Sequence, residues 1–319
     1  MAGNVVASLL KPSRNSKHNN NNSLKYKLDC QNIIDKSENS DTKDWLNLEQ
    51  QIDHDSEDYT LYIGLLEKHK QIVVKIGPEK LKHEYEIGKL LDTLKIPTFL
   101  GYICMFKCFD DFKLKSKTKD EAFAINSKRT YLCKKDGDII NVLIMQYIRY
   151  GPIDKYEWNK DNVKILKNVI KHIVISILYS ALMLGFIHTD AHLGNIMLQK
   201  TKRQQINYGD FYSLDIIGGI IPVILDYDKA IIRTDTIDVS LVYNDVRKIF
   251  TLLDTELKIK FDISQILDKI ITLTKNKTNI TTEICDIILS EIDKLKIYLD
   301  LTQQRELPDF LKPVGTRKI

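Results

Sequence analysis

No block of like charge runs through this chain: Lys plus Arg number 47 and Asp plus Glu 43, a net charge of only +4. Basic and aromatic residues do not alternate regularly either, so no nucleic-acid partner is expected. The opening residues lack the charged, apolar and small-residue order of a secretory signal, and Ala2 excludes the myristoylation pattern. A cytoplasmic location is therefore expected. The most apolar run, residues 173–187, falls short of the roughly 20 residues that span a bilayer, so it reads as a buried core helix and no membrane partner is expected. Cysteine is scarce, and Cys30, Cys104, Cys108, Cys133 and Cys285 are odd in number and irregular in spacing. They read as free thiols of a reducing compartment, with disulfides not expected. Cys104 and Cys108 have no second ligand pair to complete a zinc site.

Hydrophobic residues make up 43% of the chain, enough for a large core. Residues 1–55 carry the Asn19–Asn22 run and a stretch dense in Asp, Glu, Ser, Asn and Lys, and read as a flexible polar arm. From Tyr59 the pattern changes. Residues 60–66 and 71–76 alternate as two strands, and residues 79–94 follow at helical spacing until Pro97. Two more strands are expected over 100–109 and 141–148, joined by a long lysine-rich hairpin loop. Gly151-Pro152 then breaks the chain, a long apolar helix is expected over 161–184, and further helices follow Asp238. The fold class is α+β: a small antiparallel-sheet lobe with one helix over 56–150, then a larger helical lobe over 151–319.

The segment Gly185-Phe-Ile-His-Thr-Asp-Ala-His-Leu-Gly-Asn-Ile-Met-Leu carries the chemistry. His188, Asp190 and Asn195 fall in the order His-x-Asp-x₄-Asn, which resembles the catalytic loop of the protein-kinase-like superfamily. With His192 it is similar to the H-x-D-x-H-x-x-N loop of aminoglycoside and choline kinases and of Ser/Thr protein kinases of large DNA viruses. The Asn-, Lys- and Ile-heavy composition suits such a virus, which would put the chain in the host cytoplasm or the virion. Ile221-Pro-Val-Ile-Leu-Asp-Tyr-Asp resembles the strand that ends in the metal-binding Asp, here Asp226. Val73-Val-Lys75 resembles the strand lysine that meets the ATP phosphates. Glu84 resembles its helix partner, with Glu86 as the competing choice.

This resemblance implies a two-lobed kinase-like fold, ATP and Mg²⁺ as cofactors, and a protein or a small hydroxylated molecule as substrate. Asp190 would orient the attacking hydroxyl and accept its proton, and Lys75 would supply fixed positive charge. Asn195 and Asp226 would give Mg²⁺ hard oxygen ligands. His188 would hold the loop, and adenine would meet the backbone of Met145, Gln146, Tyr147 and Ile148. Asp245 reads either as a brace for the loop or as a helix cap. His188, Asp190 and His192 have a competing reading as transition-metal ligands.

Departures from the pattern are equally legible. No G-x-G-x-x-G precedes Lys75, with Gly64 alone in that region, and Asp228 stands where a Gly is usual. The interval from Asn195 to Asp226 implies an inserted hairpin near 207–219, and no Ala-Pro-Glu follows Asp226. Three functions remain open: a divergent Ser/Thr protein kinase, a small-molecule kinase, and a pseudokinase that binds without turnover.

Overall fold

The computed structural model describes residues 30–37, 44–52, 59–67, 70–77, 79–110, 132–133, 137–257, 259–295 and 297–299. The Asn19–Asn22 run, most of the expected arm and most of the lysine-rich stretch lie outside the described residues. A helix over 30–37 (α1) leads to β1 (Leu46–Ile52), β2 (Thr60–Leu66) and β3 (Lys70–Gly77). Helix α2 (Leu81–Leu91) follows, then β4 (Tyr102–Asp110) and β5 (Asp138–Gln146). The five strands form one antiparallel sheet in the order β1-β2-β3-β5-β4.

Strand side chains alternate between faces, and here both faces are covered. Ile72, Val74 and Ile76 point with Val142, Ile144, Cys104 and Phe106 to an outer core closed by Ile33 and Trp45. Val73 and Leu143 point the other way, toward α2 and the second lobe. The expected arm over 1–55 is thus corrected in part: Trp45 is buried and residues 46–52 are an edge strand. The sequence reading missed β1 because Leu46-Asn-Leu-Glu-Gln-Gln-Ile has too few apolar residues to signal a strand without its neighbour.

Four of the five cysteines are paired, Cys30 with Cys104 and Cys108 with Cys133, which overturns the expectation of free thiols. Only Cys285 is free among the described residues. Cys104 and Cys108 share the outer face of β4, and the fold lays α1 and residues 132–133 against that face. Spacing in sequence cannot report such proximity. The bonds close loops with sequence separations of 74 and 25; by chain entropy these are worth roughly 4 and about 3 kcal/mol. Reduction with dithiothreitol is expected to lower the melting temperature by roughly 10 °C, and replacing all four cysteines with Ser should remove the response to reductant.

The second lobe is built on α3 (Val163–Leu184). An Asn159 capping box starts the short turn that precedes it, and Gly185 ends it in a left-handed conformation at φ 66°. A side chain at 185 would collide with the Arg233 carbonyl, so the stop requires glycine. With its leading turn the helix spans Lys160–Leu184, long and apolar enough to cross a membrane by length and composition. That length exceeds the expected apolar run, but 78% of its most apolar window is buried inside the fold. Packing accounts for the apolarity.

After α3 come β6 (Phe186–Ile187), β7 (Ile196–Lys200), the hairpin β8 (Gln205–Tyr208) and β9 (Tyr212–Asp215), β10 (Ile220–Ile224) and β11 (Ile231–Ile232). The expected inserted hairpin is therefore present. Helices α4 (Val239–Glu256), α5 (Ser264–Lys275) and α6 (Thr282–Lys294) complete the lobe, with β12 (Ile259–Phe261) paired to β13 (Ile297–Leu299). The hairpin docks on α3 through His172, whose Nδ1 lies 2.9 Å from the Tyr208 hydroxyl and whose Nε2 lies 3.1 Å from the Asp215 carbonyl.

Burial lowers the His172 pKa from 6.5 to about 4. The folded chain therefore refuses a proton that the unfolded chain accepts, and stability is expected to fall as pH drops from 6.5 to 4, by on the order of 3 kcal/mol. His188, also depressed by burial, adds slope of the same sign. Urea midpoints measured across this window should show the slope reduced in His172→Gln.

Candidate active site

Two strand pairs bring the site together. The loop over 188–195 connects β6 to β7, and the loop over 225–230 connects β10 to β11. Because β7 pairs with β10 and β6 with β11, the two loops must face each other. Leu225 donates its N–H to the Asn195 carbonyl at 3.0 Å, which sets Asn195 beside Asp226.

Lys75 is the centre of the charge arrangement. Its ammonium lies 2.7 Å from Glu84 on α2 and 2.8 Å from Asp226, and it is only 3% exposed. Burial pulls its pKa down, but Glu84 and then Asp226 outweigh that, and the net shift is upward. Glu84 is raised by its own burial, against the opposing pull of Lys75. The choice between Glu84 and Glu86 resolves geometrically: Glu86 sits on the solvent side of α2, 3.8 Å from Lys82. Tyr102 donates its hydroxyl to the second oxygen of Glu84 at 2.7 Å. Its ring packs where a side chain on Gly88 would stand, so α2 approaches β4 this closely because residue 88 has no Cβ.

The loop over 188–195 is held from beneath. Asp245 on α4 accepts the N–H groups of His188 at 2.9 Å and Thr189 at 3.2 Å, so it braces the loop and is not the cap of its helix. His188 is buried, meets the Leu225 carbonyl through Nε2 at 3.1 Å, and leaves Nδ1 without a partner. Its ring packs edge-on against Tyr227, which in turn contacts Tyr102. An aromatic column thus links the loop, the segment after Asp226 and the sheet. The transition-metal alternative does not assemble, because His188 turns inward, and no cluster of three His, Cys, Asp or Glu groups is found among the described residues.

Strain concentrates at two residues here. Thr189 has φ 61° and Asp226 φ 65°, in the left-handed region that non-glycine residues, and β-branched Thr above all, avoid. Thr189 is held there by Asp245 and by its own hydroxyl, which donates to the Lys229 carbonyl at 2.7 Å. Such outliers persist where surrounding structure over-determines them, commonly at functional sites. The concern over Asp228 in place of Gly dissolves, since positive φ falls on Asp226 and not on residue 228.

Asp190 is one-quarter exposed and carries a lysine on each carboxylate oxygen: Lys229 at 2.7 Å and Lys248 at 3.2 Å. The Lys229 hydrogen bond is the main cause of its lowered pKa. Asn195 donates its amide to the Asp190 carbonyl at 3.2 Å, which leaves its own side-chain oxygen free to ligate. Asp226 binds Lys75 through Oδ1, and its Oδ2 has no hydrogen-bond partner among the described residues. Two unsatisfied hard oxygens on adjacent loops fit a Mg²⁺ ion whose remaining ligands are phosphate and water.

The adenine expectation narrows. Met145 and Gln146 belong to β5, paired with Val73 and Ile72, and the Gln146 N–H is taken by the Gly101 carbonyl at 2.9 Å. Tyr147 and Ile148 lie just past the strand end. The sequence reading also missed Tyr59, whose ring lies 3.9 Å from the Lys75 ammonium, and Lys229 and Lys248. The two lysines stand three residues after Asp226 and Asp245, a spacing that marks nothing without the fold. Gly64 is not a phosphate-loop residue, since it lies within β2 opposite Leu48. The β1–β2 connection is Asp53-His-Asp-Ser-Glu-Asp58, with four carboxylates and no glycine; it lies outside the described residues.

A five-stranded antiparallel lobe with α1 and α2, one helix more than expected, joined to a helical lobe that carries this loop, defines an α+β, two-lobed protein-kinase-like fold. Residues 139–217, about a quarter of the chain, match the ABC1 atypical kinase-like domain. The matched stretch contains His188, Asp190 and Asn195 but stops short of Asp226 and begins after Lys75 and Glu84. No curated protein matches the chain. The chain is thus kinase-like, either a phosphotransferase or a pseudokinase, and a kinase-like domain implies ATP binding in general.

Proposed function

We propose that this chain is an ATP- and Mg²⁺-dependent phosphotransferase that moves the γ-phosphoryl group of ATP to a hydroxyl. The observation that carries the reading is the buried ammonium of Lys75 held between Glu84 and Asp226, since this joins three elements in the arrangement needed to meet phosphates. Lys75 contacts the non-transferred phosphates, and Asn195 and Asp226 hold the metal. Mg²⁺, when bound, neutralises charge on the phosphates. Asp190 orients the acceptor hydroxyl and accepts its proton as the new P–O bond forms, while the bond to the β–γ bridging oxygen breaks and ADP departs.

The acceptor we favour is a Ser or Thr side chain of a protein, on the resemblance of Lys75, Glu84 and the catalytic loop to protein kinases. A small hydroxylated molecule is the second reading, favoured by His192 and by the short stretch, residues 227–238, between Asp226 and α4. A pseudokinase is the third. The lack of a G-x-G-x-x-G before Lys75 supports it, because such glycines let backbone amides approach the phosphates.

Thermal melting with ATP tests the nucleotide site on which these readings rest. A rise in midpoint that needs Mg²⁺ and is absent in Asp226→Ala is expected. No shift at millimolar ATP would remove the nucleotide reading. ATP consumption stimulated by a hydroxylated metabolite but by no protein would move the acceptor to the second reading.

A further inference from the structure

Two lysines meet on Asp190, and neither belongs to the catalytic loop. Lys248 stands on α4 one turn beyond Asp245, and Lys229 stands three residues beyond Asp226. Their surroundings differ. The peptide around Lys229 is anchored at three points: its carbonyl accepts the Thr189 hydroxyl at 2.7 Å, the Ala230 N–H reaches the Tyr227 carbonyl at 3.1 Å, and the Ala230 carbonyl lies 2.8 Å from His83 Nε2 on α2. The Lys229 side chain is 62% exposed, and among the described residues its ammonium is bound to Asp190 alone. A flexible ammonium on a rigid peptide is suited to exchanging one anion for another.

Charge points the same way. Lys229 feels Asp190 first and then Asp228 and Asp226, so its ammonium stands beside the carboxylate that would hold the metal, where a transferred phosphoryl group would lie. The neighbouring His192 folds its ring back over Gly194, 3.0 Å from where a Cβ there would lie.

We propose that Lys229 is the γ-phosphate ligand of this site: its ammonium leaves Asp190 Oδ2 for the terminal phosphate of bound ATP, while Lys248 keeps Asp190 oriented through Oδ1. This rests on the phosphotransfer reading and deepens it. ATP would then uncover the oxygen that receives the acceptor hydroxyl, whereas ADP, with no third phosphate, would leave Lys229 on Asp190.

The test compares ATP and ADP binding, each with Mg²⁺, by calorimetric titration of the wild type, Lys229→Met and Lys229→Arg. Lys229→Met is expected to weaken ATP roughly tenfold or more, the loss of one charge-assisted hydrogen bond. ADP should change less than about twofold, and Lys229→Arg should keep most of the ATP affinity, since it keeps the charge. Equal losses for ATP and ADP, or no loss for either, in the face of intact wild-type binding would overturn the assignment of Lys229 alone. Wild-type protein that binds neither nucleotide would overturn both this assignment and the reading beneath it.

Discussion

Lys75→Met is expected to lower unfolding stability by about 3 kcal/mol and to abolish Mg²⁺-dependent nucleotide binding. The ammonium is 3% exposed and Glu84 only 1%, so removing the cation strands a carboxylate in the core with Tyr102 as its remaining donor. Breaking a buried pair from one side costs about 3 to 5 kcal/mol. The lower figure applies because Glu84, already raised by burial, is driven further up once its cation is gone and takes a proton. The sign follows. A carboxylate raised in the folded state binds protons that the unfolded chain releases, so the variant's deficit should be smallest near the unfolded carboxylate pKa and should grow as pH rises. Urea midpoints of wild type and variant across that range measure this. Adding Glu84→Gln should recover part of the loss, and strictly additive effects would show that the two residues are not coupled.

Asp190→Asn is expected to reduce phosphoryl transfer by roughly 10² to 10⁴, the range of a general base, with the ATP-induced rise in melting temperature retained. Release of ADP from ATP in the presence of acceptor, or of water alone, reads the rate. The carboxylate lies in a loop held by Asp245 and Asn195, not in the core, so the substitution leaves the fold intact. Lys229 and then Lys248 hold Asp190 below the usual carboxylate range, so it stays ionised in mild acid. The wild-type rate at ATP well below saturation, which reports the nucleotide-free chain, should therefore show no acid limb from protonation of this group in mild acid. An unchanged rate in Asp190→Asn would remove this residue from the chemistry.

Local signals carried much of the first lobe. Alternation over 60–66 and 71–76 marks β2 and β3, and the Leu81, Ile87 and Leu91 spacing marks the buried face of α2. Glu84 was separable from Glu86 because it shares the face of Ile87 and Leu91, which the sheet buries. β1 was not legible, since an edge strand with one apolar face needs its partner to declare it. The cysteines misled for a related reason: spacing along the chain carries no information about which face of β4 lies under α1. Asp245 was undecided between cap and brace until α4 was placed beneath the loop, where its carboxylate meets two backbone N–H groups.

The sequence by itself determined the inventory and the local elements: His188, Asp190 and Asn195 within eight residues, Lys75 on a strand, Glu84 on the next helix, and Asp226 at a strand end. Periodicity, caps and glycine stops act over a few residues, so they can be read without a fold. Only the tertiary structure decided the partners. It brought Lys75 to Asp226 across 151 residues, Lys229 and Lys248 to Asp190, and Cys30 to Cys104. Those meetings depend on strand register and on close packing of whole faces, neither of which any short stretch of chain encodes.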